Sequence, residues 1–259
     1  MSKELLLPRF SKEKNCHYIS YSQVGSWEDE KSFNLGVKGR LEYILAYFMG
    51  VKFPDQGWGV FGEDAENAVC YRDYPLVEIQ KLDEEIKAYN IERPDRAQRL
   101  ISESLSSFDE REMKILKQIE PLGVFQQEGW INFDGFKVLL YIDDANADFS
   151  KLRDYKTASR NSGKKYEKPE YDQLDVYSLW VKQQFGHVPD DLEVCIIERA
   201  GNCFGMVERR DLLSVKNDVW YVDRETSTER LKTIEDRIVR VANEISEYYK
   251  VYLKIKEIK

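Results

Sequence analysis

Histidine is scarce in this chain, with only His17 and His187 among 259 residues. A histidine-rich metal site or a triad centred on histidine is therefore disfavoured, and carboxylate chemistry is the main option left for an active site. Long apolar runs are also missing. Residues 43–49 and 138–142 are typical of the apolar runs, and both are far shorter than the roughly 20 residues that cross a bilayer. We expect a soluble protein with no membrane partner.

Cysteine is sparse, and its spacing shows no pairing. Four free thiols in a reducing compartment are the expected state, and a tetrathiolate site would require the fold to bring all four together. The first eight residues contain only three consecutive leucines and no small-residue cleavage site, so they do not resemble a secretory signal. We therefore expect a cytoplasmic protein, of bacterial origin or encoded by a phage and acting in the host cytoplasm. The cysteines are Cys16, Cys70, Cys195 and Cys203.

A net charge of -8 argues against indiscriminate binding of polyanions, because affinity for DNA depends on neutralising phosphates with Lys and Arg. Residues 151–168 are an exception, with a local excess of five positive charges. Such a segment can steer a nucleic acid to one place, although a solvated charged loop is the ordinary alternative. The candidates for nucleic-acid contact are Arg153, Arg160, Lys164, Lys165 and Lys168.

The length of the chain is at the upper end of what one hydrophobic core organises, so residues 1–259 are predicted to form a single domain. Residues 75–120, rich in Glu, Lys, Leu and Ile and interrupted by Pro94, predict an insertion of surface helices. The capping-box pattern at Thr226 and the apolar stripe after it predict a C-terminal helix over 226–257.

The remaining patterns predict an α/β (α+β) fold in which a mixed sheet is flanked by helices. Helices are expected to start near Ser20 and Gly62. Another is expected over 169–185, with an apolar stripe formed by Tyr171, Leu174, Tyr177 and Val181. A hairpin turn is expected at Phe133-Asp134-Gly135. Further strands are predicted over 152–157, 192–198 and 203–209.

Two acids and a lysine lie close together in the predicted strands. Residues i and i+2 of a strand face the same side, so Asp154 and Lys156 share one face. Asp143 ends the preceding strand, and the chain between them is long enough to turn back and bring both acids to one cation. Mg²⁺ prefers hard oxygen ligands. The two carboxylates, a backbone carbonyl and a phosphate oxygen would supply them, and Tyr155 is included among the candidate metal ligands.

Lys156 can orient or deprotonate a metal-bound water and stabilise charge on a phosphate. The tripeptide Asp154-Tyr155-Lys156 alone does not indicate a function. An Asp-x-Lys pair in a strand is usually an exposed pair worth at most about 1 kcal/mol.

The ordered series of motifs is more specific than any one of them. It resembles the PD-(D/E)XK nuclease superfamily, and most closely its RecB-like branch, with the nuclease domains of bacterial helicase-nucleases, CRISPR-associated exonucleases and phage recombination exonucleases. The resemblance covers residues 20–177 and implies a restriction-endonuclease-like core. The motifs are Gly62-x-x-x-Glu66, Ile142-Asp143, Asp154-Tyr155-Lys156-Thr157 and Gln173-Leu174-x-x-Tyr177.

The resemblance implies a role for each matched residue. The first helical motif supplies a His or Glu near the metal, and Glu66 stands there, with an ordinary acid at a helix start as the alternative. The second motif is an Asp after an aliphatic residue. It selects Asp143, although a slip of one residue would select Asp144.

The third and fourth motifs complete the candidate catalytic set. Asp154 would bind the metal, and Lys156 would activate the water. Gln173 and Tyr177 are at i and i+4 on one helix and could contact the lysine or the DNA backbone, although a core aromatic is the alternative for Tyr177.

Two features of relatives are missing. Some RecB-like proteins hold an iron-sulfur cluster with closely spaced late cysteines, and Cys195 and Cys203 are too few and too far apart, so no cluster is predicted. No Gly-x4-Gly-Lys-Ser/Thr motif is present, so an ATP-driven helicase or a recombination protein would be a separate partner chain.

The sequence thus predicts a Mg²⁺-dependent deoxyribonuclease, with Mn²⁺ able to substitute, that acts as an exonuclease on DNA ends or single strands in recombination or repair. An endonuclease with the same core, a non-catalytic nucleic-acid-binding subunit and a structural protein with coincidental motifs are the alternatives. RNA as substrate, cleavage polarity and oligomeric state stay open.

Overall fold

The computed structural model describes residues 5–28, 39–92 and 97–258. At its centre is a seven-stranded mixed sheet flanked by helices, which is the mixed α/β arrangement predicted from the sequence. The strand order is β1-β2-β4-β5-β6-β7, and β3 pairs with the other edge of β4. Pro94 and the first four residues lie outside the described part. The strands are β1 (Arg9–Ser11), β2 (Cys16–Ser20), β3 (Val124–Phe133), β4 (Phe136–Ala145), β5 (Lys151–Ala158), β6 (Asp191–Ala200) and β7 (Ser214–Arg224).

Helices cover both faces of this sheet, and within the described ranges none is long and apolar enough to cross a membrane. A π-helical turn follows α2 at Ile44–Phe48, and 3₁₀ turns lie at Lys164–Glu167 and Val207–Leu212. The α-helices are α1 (Tyr21–Glu28), α2 (Gly39–Tyr43), α3 (Gly57–Tyr71), α4 (Leu76–Glu92), α5 (Ile101–Ser106), α6 (Glu110–Leu116), α7 (Arg160–Gly163), α8 (Gln173–Phe185) and α9 (Thr228–Glu257).

Two apolar layers hold the helices against the sheet. The first, called the α8–α9 layer, joins Leu174 and Ile238 to buried strand residues such as Val194. The second, called the α3–α6 layer, joins Phe61 and Leu116 to the opposite face of the sheet. Each fully buried aliphatic or aromatic side chain contributes roughly 1.5–3 kcal/mol, so the sheet is held firmly from both sides.

The hairpin between β3 and β4 is confirmed. Phe133 pairs with Phe136, and Asp134 and Gly135 form the two-residue turn. Gly135 has a φ of 86°, the positive value that favours glycine in this type of turn. The register that this turn sets determines which residues of β4 face the candidate site.

One edge of β4 is shared by two strands and is open between them. β2 pairs with its first half, ending at Ser20–Leu139, and β5 pairs with its end, at Asp144–Arg153. Residues 140–143 have no ladder partner on that edge among the described strands. Because β2 leaves into α1 and β5 diverges from β4, the sheet has a gap here.

The predicted strand over 203–209 is wrong. The chain turns after β6, where Gly201 and Gly205 have φ values of 84° and 78°, and Phe204 has a φ of 52°. Such left-handed backbone cannot continue a strand. The strand that pairs with β6 is β7, which lies further along the chain.

Three helix boundaries also differ from the prediction. The C-terminal helix expected from residue 226 begins at Thr228, and Ser227, not Thr226, is its N-cap. The helix expected to open at Gly62 begins at Gly57, which puts Glu66 in its third turn rather than its first or second. The helix expected from residue 169 begins at Gln173. Tyr171 therefore lies in the segment before that helix instead of on its apolar face.

The segment predicted as surface helices contains α4, α5 and α6, but α6 is part of the core. Leu116 at its end is fully buried in the α3–α6 layer. Glu112 accepts a hydrogen bond of 2.7 Å from the backbone N–H of Val215 in β7. Helix α6 is thus held to the sheet both by apolar packing and by this hydrogen bond.

Two glycines with similar backbone angles should respond differently to alanine. A Cβ at Gly201 would lie 1.9 Å from the carbonyl oxygen of Leu212, whereas a Cβ at Gly186, with a φ of 80°, meets nothing within 4 Å. Gly186→Ala should cost about 1–2 kcal/mol for the left-handed backbone alone. Gly201→Ala should cost clearly more in urea denaturation, and equal losses would contradict the close approach.

Candidate active site

The candidate site lies in the gap between β4 and β5. The backbone N–H of Tyr155 donates to Oδ2 of Asp143 at 2.9 Å, at the point where the two strands have separated. A side-chain carboxylate thus satisfies a backbone donor that a continuous ladder would have satisfied. Asp143 is only 14% exposed and points into the gap.

Three oxygens surround the ammonium of Lys156. Its Nζ is 2.6 Å from Oδ1 of Asp154 and 3.0 Å from the carbonyl oxygen of Tyr155. It is 3.9 Å from Oδ2 of Asp143. Asp154 is fully buried, and a buried carboxylate is costly unless it is paired and hydrogen-bonded. The structure therefore places the acid and the lysine of the Asp-x-Lys motif on the same face of β5.

Helix α8 supplies the next contacts. Nε2 of Gln173 donates to the hydroxyl of Tyr177 at 2.9 Å, and that hydroxyl donates to Oδ1 of Asp143 at 3.2 Å. Tyr177 is 1% exposed, with its ring in the α8–α9 layer and its hydroxyl at the site. The fourth motif thus contacts Asp143, whereas the sequence analysis had expected a contact with the lysine or with DNA.

Tyr171 is a site residue that the sequence analysis missed. Its hydroxyl donates to Oδ2 of Asp154 at 2.6 Å, so this carboxylate is held between Tyr171 and Lys156. The tyrosine had been placed on a helical stripe, where it would belong to the core. Nothing in the sequence spacing distinguishes it, because the contact depends on where α8 begins.

Glu66 reaches the site from the other side of the sheet gap. It lies on α3, and the Nε2 amide of Gln126 donates to its carboxylate. Gln126 has a φ of 47°, which is uncommon for a residue other than glycine and costs of order 1–3 kcal/mol. The spacing of the first motif gave no indication of this glutamine.

The acids of the site repel one another. Burial, together with the neighbouring charge of Asp154, raises the pKa of Asp143 to about 7. Burial and then the charge of Asp143 raise the pKa of Glu66 well above its usual range. Burial alone would lower the pKa of Lys156, but the carboxylates of Asp154 and Asp143 outweigh it, and the net shift is upward.

The donor atoms of the site fit a hard cation. Among the residues that the structure describes, no group of three or more His, Cys, Asp or Glu side chains is arranged to hold a metal ion. The four cysteines are free thiols. Asp143, Asp154 and the carbonyl of Tyr155 nevertheless converge on one positive charge, the ammonium of Lys156. Carboxylate and carbonyl oxygens are the ligands that Mg²⁺ prefers.

Asp144 lies away from these residues. It is fully buried and accepts hydrogen bonds from the backbone N–H groups of Leu122 and Gly123 and from the hydroxyl of Tyr155. Arg153 is 3.6 Å from it, so Asp144 has the contacts of a structural acid. Of the two adjacent aspartates, Asp143 is the one that faces Lys156.

The prediction that Arg153 contacts nucleic acid is wrong. The side chain is buried, and it forms an ion pair of 2.5 Å with Glu193 and a hydrogen bond of 2.6 Å to the carbonyl oxygen of Glu120. The other basic candidates are exposed in α7 and just after it. Arg160 pairs with Asp218 at 2.6 Å. Contact with nucleic acid stays a prediction for Arg160, Lys164, Lys165 and Lys168.

Removing the hydroxyl of Tyr171 should show how much its hydrogen bond to Asp154 contributes to the stability of the fold. Tyr171→Phe leaves a fully buried carboxylate with one partner fewer, and should lower the free energy of unfolding by about 1–3 kcal/mol. Chemical denaturation would show the change beside Tyr74→Phe, a control at a partly exposed tyrosine. An unchanged stability for Tyr171→Phe would mean that the hydroxyl does not hold Asp154.

The raised pKa of Asp143 predicts a pH dependence of stability. Between pH 3.8 and about 7 the folded protein retains a proton that the unfolded chain has lost, so stability should fall as pH rises through this window. One such group contributes a slope of at most about 1.4 kcal/mol per pH unit. Asp143→Asn should remove the contribution of Asp143 and leave that of Glu66, whose pKa is also raised.

The measurement is chemical denaturation in EDTA at about pH 5 and about pH 8. Asp134→Asn, in the exposed hairpin turn, is the matched control and should keep the wild-type slope. If Asp143→Asn keeps the wild-type dependence of stability on pH, the group with the raised pKa is not Asp143.

Comparisons with known proteins provide little beyond this geometry. No protein-family model matches the chain. No curated protein sequence matches it. Among solved structures, a crystal structure of a "putative exonuclease" from Eubacterium rectale is similar, with 14% identity, a TM-score of 0.45, and coverage of 92% of this chain and 88% of that one. An identity of 14% transfers no activity, so the assignment of function depends on the site itself.

Proposed function

We propose that this protein is a metal-dependent DNA nuclease of the PD-(D/E)XK superfamily that hydrolyses phosphodiester bonds. The observation that carries the proposal is the convergence of Asp143, Asp154 and the Tyr155 carbonyl on the charge of Lys156. The four motifs of the resemblance lie apart in the chain. Asp143 of the second motif contacts residues of the third and fourth, and Glu66 of the first is close enough for its charge to interact with Asp143 and Lys156.

The charge of the site supports this chemistry. Three carboxylates, those of Glu66, Asp143 and Asp154, face one ammonium, and a divalent cation would relieve the repulsion that raises the pKa of Asp143. Asp143 and Asp154 would hold the ion, with the Tyr155 carbonyl beside them and Glu66 close by. When bound, Mg²⁺ supplies a Lewis acid and an activated water.

Lys156 is better suited to stabilise charge than to act as the base. Its neighbours raise its pKa, so it stays an ammonium at neutral pH. An ammonium close to the scissile phosphate can stabilise the negative charge that develops during hydrolysis. The base role predicted from the sequence would require the carboxylates around it to be neutralised first.

The surroundings of the site favour a single strand or a DNA end over an intact duplex. Asp143 and Glu66 line an open cavity of about 650 Å³, to which α3, α4 and β3 also contribute. Tyr71 and Tyr89 line the same cavity, and aromatic rings are the surfaces on which unpaired bases stack. This supports exonuclease action, with an endonuclease as the nearest alternative.

The first experiment is a cleavage assay with linear and circular DNA, single and double stranded, and with RNA, in Mg²⁺, Mn²⁺ or EDTA. Wild type should degrade linear DNA only with metal. Lys156→Ala and Asp154→Asn should each lower the rate by about 10²–10⁴-fold. Lys232→Ala, an exposed lysine of α9, is the matched control and should cleave at the wild-type rate.

The substrates separate the alternatives. Cutting of circular DNA would indicate an endonuclease. Binding of DNA by wild type without cleavage of any substrate would contradict the nuclease proposal and indicate a binding subunit.

A further inference from the structure

Helix α8 begins without a side-chain cap of its own. Its N-cap residue is Asp172, and the carboxylate of that residue accepts no hydrogen bond from the first turn, although aspartate is one of the residues that most often does so. The carboxylate of Asp172 instead accepts a hydrogen bond from Nη1 of Arg237 in α9. The position at which α8 begins therefore depends on groups outside the helix.

Two further arginines hold the backbone just before this helix. Nη2 of Arg224, the last residue of β7, donates to the carbonyl oxygen of Tyr171 at 2.8 Å. Nη2 of Arg230, in the first turn of α9, donates to the same carbonyl at 3.2 Å and to the carbonyl of Pro169 at 2.6 Å. Nε of Arg230 donates to Oδ2 of Asp175 at 2.7 Å. We call Arg224 and Arg230 the arginine pair.

The arginine pair acts at the start of α8, whereas apolar packing holds the body of the helix. Side chains such as Leu174 and Val181 pack in the α8–α9 layer. The carbonyls of Pro169 and Tyr171 precede the helix, and backbone carbonyls that are out of water need a donor. A guanidinium supplies several N–H groups in a rigid fork, so it fixes a carbonyl in direction as well as in distance. The arginine pair therefore determines where the backbone of Tyr171 lies.

The two ends of Tyr171 are held by strands of the same sheet. Its carbonyl accepts from Arg224 in β7, and its hydroxyl donates to Oδ2 of Asp154 in β5 at 2.6 Å. Asp154 pairs with Val194 in β6, and Val194 pairs with Val222 in β7. Because β5 and β7 are two strand spacings apart, roughly 10 Å, Tyr171 bridges them across β6. A displacement of its carbonyl therefore displaces the hydroxyl that holds Asp154.

We propose that Arg224 and Arg230 are positioning residues of the candidate site, which orient the carboxylate of Asp154 through Tyr171. The pair sets where the Tyr171 hydroxyl lies, and the hydrogen bond of that hydroxyl sets the direction in which Asp154 presents its oxygens. That Asp154 holds a cation depends on the proposed function, whereas the placement of Tyr171 by the arginine pair does not. The last strand and the C-terminal helix, both outside the part of the chain that carries the resemblance, thereby belong to the site.

Lysine variants separate positioning from charge. Arg230→Lys keeps a positive charge beside Asp175 but loses the rigid fork that reaches the two carbonyls. Arg224→Lys makes the corresponding change in β7, and it serves as the second variant if Arg230→Lys folds poorly. Arg111→Lys is the matched control. Arg111 also donates to a carbonyl oxygen of β7, that of Val215 at 2.7 Å, but it does so from α6 on the opposite face of the sheet.

The first measurement is the binding of Mn²⁺ alone to the protein without DNA, by isothermal titration calorimetry. Arg230→Lys, Arg224→Lys and Tyr171→Phe should each weaken Mn²⁺ binding about tenfold, because groups that orient a metal ligand typically contribute that much to affinity. The Tyr171→Phe/Arg230→Lys double variant should bind about as tightly as Tyr171→Phe, since both changes act through the same hydrogen bond. Arg111→Lys should bind like wild type.

The second measurement needs neither metal nor DNA. Chemical denaturation in EDTA gives the loss of stability in Tyr171→Phe, in Arg230→Lys and in the double variant. If the arginine positions the hydroxyl, the loss in the double variant should be smaller than the sum of the two single losses. Additive losses would overturn the proposal, because a purely structural role of Arg230 is independent of the hydroxyl. An equal loss of Mn²⁺ affinity in Arg111→Lys would also overturn it.

Cleavage assays give a third readout. In the arginine variants the Mn²⁺ concentration for half-maximal cleavage should rise about tenfold, while the KM for DNA stays at the wild-type value. A raised KM for DNA with unchanged dependence on Mn²⁺ would contradict a role through Asp154.

The two proposals fail in different ways. No metal binding and no cleavage by wild type, together with non-additive losses in EDTA, would remove the nuclease function and keep the arginine pair as the groups that place Tyr171 on Asp154. Metal-dependent cleavage by wild type, with lysine variants that bind Mn²⁺ and cleave like wild type, would keep the nuclease and remove the positioning role.

Discussion

Charge balance in a small buried volume is the constraint on which the site depends. Glu66, Asp143 and Asp154 bring three carboxylates close to one ammonium, that of Lys156. Carboxylates that lie this close together and largely out of water cannot all stay ionised without compensating charge. The protein compensates through Lys156, through the hydroxyls of Tyr171 and Tyr177, and through the tendency of Asp143 to keep a proton. Under the proposed function, a bound cation would offset the excess of negative charge and allow a phosphate to approach.

The gap in the sheet makes this arrangement possible. A continuous ladder along β4 would use every backbone group on that edge and leave no room between the strands. Because β2 ends at Ser20 and β5 diverges after Arg153, residues 140–143 have no ladder partner on that edge among the described strands. The carboxylate of Asp143 satisfies the one backbone N–H that the separation exposes on Tyr155. The cavity that Asp143 lines adjoins this gap, so one interruption of a regular sheet accounts for the position of the site.

The sequence predicted the parts that depend on local pattern. The Asp134-Gly135 turn, the long C-terminal helix and the shared face of Asp154 and Lys156 follow from turn chemistry and periodicity alone. Contacts between distant segments did not follow: Tyr171 meets Asp154 only because α8 begins at Gln173, and Gln126 meets Glu66 through an unusual backbone angle. The strand predicted at 203–209 was wrong because Phe204 adopts left-handed backbone, which its side chain does not signal.

The packing of the two apolar layers affects the spacing of the site residues. Glu66 is carried by α3, which packs in one layer, while Gln173 and Tyr177 are carried by α8, which packs in the other. The site therefore combines residues from two apolar layers that pack separately, one on each face of the sheet. Packed interiors transmit strain. A cavity or an oversized side chain in either layer would therefore shift the site residues carried by that layer relative to those carried by the other. Residues that never approach a substrate can in this way set the spacing of those that do.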